Sequence, residues 1–163
     1  MASSLSNNSE TGRGRHGWNS LDDYLWQHER RLDNFAGFVE YHTASYEVVP
    51  TKDPSLSLLR LNMEIICVGD IKLTVGKLAE VKERRIKRAR TIKYSYHASS
   101  PNGNILRYDN AHPYPGHPTK HHKHVYNGTG RQVAGSPFHM GEDGWPNMHE
   151  VIDELMKMGI QAG

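Results

Sequence analysis

Thr91–Asn110 reads TIKYSYHASSPNGNILRYDN. Two runs rich in β-branched and aromatic residues flank the turn-forming set Ser100-Pro101-Asn102-Gly103-Asn104. Asn and Gly tolerate the positive φ that a tight hairpin turn demands, so Asn-Gly between strand-like runs predicts an antiparallel hairpin. That hairpin puts His97 and the Arg107–Asn110 segment on neighbouring strands. Whether their side chains share a face depends on register, which alternation alone leaves open.

Upstream, the first of these strands extends from about Ile86. Ile86, Arg88, Arg90, Ile92, Tyr94 and Tyr96 share one parity; Lys87, Ala89, Thr91, Lys93, Ser95 and His97 share the other. A strict period of two sets His97 on the face of the lysines, and a bulge would reverse that. On the returning strand, about Asn104 to Asn110, Ile105, Arg107 and Asp109 face one way and Leu106 and Tyr108 the other. Earlier runs repeat the pattern. Phe38–Val49 is dominated by β-branched and aromatic residues. Leu59, Leu61, Met63 and Ile65 alternate with polar residues, and Ile71, Leu73 and Val75 start a third strand that reaches about Val81. Gly69-Asp70 marks the turn between them, and Val125-Tyr126 can add a short strand.

Helices bracket these strands. Ser20 is an N-cap candidate with Asp22 and Asp23 in the first turn, where the helix dipole favours negative charge. The spacing of Leu21, Leu25, His28 and Leu32 predicts a helix over about 21–32. Asn147 and Glu150 have capping-box spacing ahead of an apolar face of Met148, Val151, Ile152, Leu155 and Met156. The sum predicts an α+β fold. It is a curved antiparallel sheet of about five strands with an N-terminal and a C-terminal helix on one face, and Arg, Lys and His on the other. Residues 1–19 read as a disordered tail and 20–163 as a single domain.

The chain has 163 residues, enough for one real core. Mean hydropathy is −0.72. No apolar run approaches the roughly 18 residues of a membrane helix. The first twenty residues lack the apolar core of a signal peptide, and the single cysteine, Cys67, excludes a disulfide framework or a Cys-based zinc site. A cytosolic protein, with no membrane partner, is expected. Net charge is only +2, yet Lys82–Lys93 (KERRIKRARTIK) holds seven basic residues and one acid. Arg84, Arg88, Arg90 and Lys93 are therefore candidates for holding a polyanion such as RNA. A solvated strand face, or one that meets an acidic partner, is the alternative.

Downstream of the hairpin, Arg107–Val125 reads RYDNAHPYPGHPTKHHKHV and carries five of eleven histidines: His112, His117, His121, His122 and His124. Prolines 113, 115 and 118 forbid regular structure across its middle. A loop this rich in groups that exchange protons near neutrality suits a site better than a core. Three readings compete. A metal could bind imidazole, with His122 and His124 on one side of an extended segment, but neither HExxH nor CxxC is present. Alternatively, the cluster performs acid–base chemistry on RNA without a metal or other cofactor. One histidine takes the 2′-hydroxyl proton, another protonates the leaving 5′-oxygen, and Arg or Lys neutralises the phosphorane. His97, His122, His124, Arg107 and Lys123 have the right chemistry. Asp109 would orient a histidine or cap a turn with Asn110, and Tyr94, Tyr96 and Tyr108 would stack on bases. Third, the loop is a polar shell and the basic face binds a partner protein.

The segments YSYH (94–97), RYDNAH (107–112) and HHKHV (121–125) resemble the TumE-like toxin family of prokaryotic toxin–antitoxin modules. The resemblance spans about residues 36–158, with Pro146-Asn147-Met148 and Glu150-Val151 similar to its terminal helix. It implies a toxin neutralised by a cognate antitoxin, a helix-turn-helix DNA-binding protein, and makes ribonuclease activity an expectation. The site residues it implies are Tyr96, His97, Arg107, Asp109, Asn110, His121, His122, Lys123 and His124. Lys120 departs from the apolar residue or proline expected there, and the extension through about Leu32 exceeds a minimal member.

Overall fold

The computed structural model of the chain describes residues 16–110, 120–128, 130–141 and 144–162. His112 and His117 lie outside them. The fold is an open antiparallel sheet that follows chain order: β2 (Val39–Pro50), β3 (Leu56–Cys67), β4 (Ile71–Lys82), β5 (Arg88–Ser100), β6 (Gly103–Asp109), β7 (His122–Val125) and β8 (Phe138–His139). A two-residue β1 (Asn19–Ser20) pairs with β5 at Ala89 and Arg88. The strand count thus exceeds the expected five, because the polar histidine segment itself supplies β7 and the two-residue β1 and β8 add to the sheet. Alternation could not mark β7, since both its faces carry polar side chains.

One face of the sheet holds the core. Leu61, Met63 and Ile65 of β3, Leu73 and Val75 of β4, Tyr94, Tyr96 and Ala98 of β5, and Leu106 and Tyr108 of β6 pack against α2 (Met148–Ala162). The helix contributes Met148, Val151, Ile152 and Leu155, as its spacing predicts. The Glu150 half of its capping box forms: Asn147 N donates to Glu150 Oε1 at 2.8 Å. A second small cluster joins Tyr24 to Leu59, Ala79, Val81 and Ala89.

The N-terminal helix is shorter than its periodicity predicts. Ser20 caps α1 (Leu21–Trp26) by accepting from Asp23 N. The helix then fails at His28, whose ring nitrogen Nδ1 takes the Tyr24 carbonyl at 2.7 Å while its own N–H turns to Leu25 O. A side chain competing for the i−4 carbonyl tightens the turn, and a 3-10 helix follows at Arg30–Phe35. Residues 16–18, read from sequence as tail, are placed in the fold. His16 stacks on Trp145 with ring centroids 3.3 Å apart and bonds to Trp145 O. No helix among the described residues is long and apolar enough to cross a membrane.

Two bulges reset the faces. Leu78 opposes Lys93 and Ala79 opposes Thr91, so Ile92 is an extra residue in β5. Parity therefore switches at Ile92. Arg88 and Arg90 belong to the face of Lys93 and His97, not to that of Tyr94 and Tyr96 as strict alternation predicts. Ser99 opposes Asn104 and Ala98 opposes Leu106, so Ile105 is extra in β6. Ile105 packs against the core, and Asn104 joins Arg107 on the outer face.

Candidate functional site on the outer sheet face

Directly opposed residues in antiparallel strands point to the same side. His97 opposes Arg107, and Arg107 opposes His124. The three form one row across β5, β6 and β7 on the face away from α2. His97 and His124 stand two strand spacings apart, roughly 9.6 Å between backbones, with the guanidinium between them. The next row is Ser95, Asp109 and His122.

Each member of the first row is held by a neighbour. His97 Nε2 donates to Asn104 Oδ1 at 2.7 Å. That bond leaves Nδ1 as the nitrogen able to take a proton. Asn104 reaches His97 because of the β6 bulge, and sequence alternation could not reveal it. Arg107 Nε contacts Asp109 Oδ2 at 2.8 Å, and the arginine side chain stays 42% exposed against 2% for the aspartate. A buried carboxylate thus fixes an exposed guanidinium and leaves the rest of its fork for a ligand. The same Oδ2 lies 3.9 Å from His124 Nε2. His124 Nδ1 donates to Gln132 Oε1 at 3.2 Å, and Ser136 Oγ donates to that oxygen at 2.7 Å.

Not every expected residue joins this row. His122 is on the right face but 0% exposed, so a phosphate at the surface cannot touch it, whereas His124, also buried, keeps an edge at 8% exposure. Tyr96, Tyr108, His121 and Lys123 lie on the α2 side. His121 Nδ1 bonds to the Tyr94 hydroxyl at 2.8 Å and its ring stacks with Tyr94 and Trp145. Lys123 pairs with Glu154, to which the Tyr108 hydroxyl also donates at 2.6 Å. Tyr94, Tyr96 and Tyr108 are buried, so base stacking on them finds no support in this packing. Asn110 has a different task. It accepts from Tyr94 N and donates to Ile92 O, both at 3.0 Å, and so clasps the β5 bulge where the β6 ladder has ended.

The basic run divides similarly. Arg90 pairs with Glu80 at 3.0 Å and stacks over Trp18, Arg88 donates to Trp18 O, and Lys87 pairs with Glu83. Arg84, Arg88 and Lys93 are exposed. Among the described residues, no group of three or more His, Cys, Asp or Glu side chains is arranged to hold a metal.

The family model described as Toxin TumE matches residues 28–157, which includes β2 to β8, both site rows and most of α2. The chain belongs to the TumE toxin family. Neither a curated protein nor a solved structure matches. The match begins at His28, so α1 and the residues before it stand outside the part shared with the TumE model. A TumE toxin implies a cognate antitoxin as partner.

If Asn104 sets the His97 tautomer, Asn104→Ala should lower turnover of any His97-dependent reaction by up to about 100-fold with little change in KM. Steady-state kinetics would check this, and an equal loss after His97→Ala and Asn104→Ala/His97→Ala would confirm that the two act together.

Proposed function

We propose that this TumE toxin is a ribonuclease whose acid–base pair is His97 and His124. The observation that carries the reading is the shared row: two imidazoles flank an exposed arginine on one sheet face. A phosphodiester seated on Arg107 would lie within side-chain reach of both rings. His97 Nδ1 takes the proton from the ribose 2′-hydroxyl, whose oxygen attacks phosphorus. The P–O5′ bond breaks, and His124 Nε2 gives its proton to the leaving oxygen. The products are a 2′,3′-cyclic phosphate and a free 5′-hydroxyl. Arg107 neutralises the charge that builds on the phosphorane oxygens. Asp109 positions both Arg107 and His124, and buried His122, directly opposite Asp109, packs behind them. Arg84, Arg88 and Lys93 supply the sequence-independent attraction for the RNA backbone.

The partner in this reading is an antitoxin of the helix-turn-helix DNA-binding kind. It would silence the toxin by covering the outer face, whose cations suit an acidic surface.

The test is to incubate purified protein with single-stranded RNA in the presence of a chelator and analyse product ends. Cyclic phosphate and 5′-hydroxyl termini are expected. Intact RNA with the protein folded would remove the ribonuclease reading and favour a partner-binding protein. Activity restored only by stoichiometric zinc or nickel would favour the metal-bound alternative.

A further inference from the structure

Beside the histidine row the outer face has a shallow depression of about 320 Å³, lined by Arg60, Asn62, Gly76, Leu78, Lys93 and Ser95. Its floor is Gly76, which opposes Asn62 of β3 and Ser95 of β5. Glycine in the middle of a 12-residue strand weakens it and commonly marks a place where a ligand comes close. Packing does not demand it here. A Cβ on Gly76 would meet only Asn62 Oδ1, at an ordinary 3.7 Å. The missing side chain therefore leaves a hollow rather than relieving a clash.

The walls are chemically mixed. Leu78 offers an apolar surface, Asn62 an amide with adjacent donor and acceptor, and Lys93 an exposed cation at the rim. Arg60 adds a second cation, already paired with Glu47 at 2.8 Å. A flat heterocycle with a hydrogen-bonding edge and a neighbouring negative charge matches that set. Ser95 is two residues from His97, roughly 6.6 Å along β5, so such a ring would be attached close to a phosphate on Arg107.

From these features, and resting on the ribonuclease reading above, we infer that the depression is a nucleobase subsite. It takes one unpaired base next to the cut, laid over Gly76, with its edge read by the Asn62 amide and the adjoining backbone phosphate met by Lys93. An amide side chain distinguishes bases by pairing its donor and acceptor with complementary groups on the base edge.

The experiment uses the full chain and single-stranded RNAs randomised at the positions flanking the cut, read by sequencing the products. Non-cleavable 2′-O-methyl oligonucleotides provide affinities by fluorescence anisotropy. Wild type should prefer one base at one flanking position, on the order of tenfold. Gly76→Val, which fills the hollow, and Asn62→Ala, which removes the reader, should each bring that ratio toward one in both assays. A preference that survives both substitutions, or cleavage by wild type with no base preference, overturns the subsite and leaves the ribonuclease reading standing. No cleavage by wild type overturns both. Asn62 is exposed, so Asn62→Ala decides the matter should Gly76→Val fail to fold by circular dichroism.

Discussion

His97→Ala and His124→Ala should each lower the RNA-cleavage rate by about 10²–10⁴, the usual worth of one general acid or base. The double variant should lose little more than the worse single one, because a base without its acid partner has little left to do. An activated 5′-leaving group separates the roles: it needs no general acid, so such a substrate should largely restore His124→Ala but not His97→Ala. His42 pairs with Glu29 on the opposite face of the edge strand, so His42→Ala should keep the wild-type rate. Equal losses in all three variants would point to damaged folding instead.

The second large effect concerns stability. Lys77 sits on the core face of β4, buried, with its amine 5.2 Å from the Tyr96 ring centroid and 6.0 Å from that of Trp145. Burial pushes its pKa down to about 7. The rings favour the charged form by cation–π attraction, but each is worth only about 1–2 kcal/mol, less than the penalty of desolvating the ammonium. His28 lies against the same positive charge, and burial first, then Lys77, holds its pKa well below the usual histidine range. In the unfolded chain Lys77 titrates at about 10.4. Between pH 7 and about 10.4 the unfolded state therefore holds a proton that the folded state lacks, and stability rises with pH across that window. Below about 7 both states are protonated and the full penalty stays. Lys77→Met keeps the stem's packing and removes the titrating group. It should stabilise the protein by about 2–4 kcal/mol at pH 7 and erase this rise. Urea unfolding at pH 7 and pH 10 measures both. A destabilised variant would mean that the amine contributes bonding that outweighs its desolvation.

The hairpin at Asn102-Gly103, the alternation of β3 and the capped ends of α1 and α2 were legible because each depends on local chemistry or on a clean period. Ser20 and Asn147–Glu150 cap as their spacing requires. The site was legible only in part. His97, Arg107, Asp109 and His124 meet because of a register that no pattern of residues encodes. The bulges at Ile92 and Ile105 are single-residue insertions in apolar-rich strands, invisible to a period-two count. They decide that Arg88 and Arg90 turn outward and that Asn104 reaches His97. The Asn110 amide engages the Tyr94 and Ile92 backbone at the β5 bulge, a task that no residue pattern announces. Tyr96, Tyr108 and Lys123 neighbour the site in sequence, yet alternate residues of β5, β6 and β7 turn toward α2, and His121 just before β7 does the same. Lys77 is the converse case: a charged side chain drawn inside because Val75, Ala79 and Val81 on the same face are buried.

The most direct test of the shared row is NMR of the imidazole nitrogens while a non-cleavable 2′-deoxy or 2′-O-methyl oligonucleotide is titrated in. His97 and His124 should shift together and saturate at one ligand concentration, with the Arg107 guanidinium signal moving alongside. His28 and His121, buried beneath the sheet, should hold still. Shifts confined to other histidines, or an oligonucleotide that binds without moving either His97 or His124, would contradict a phosphate seated between them.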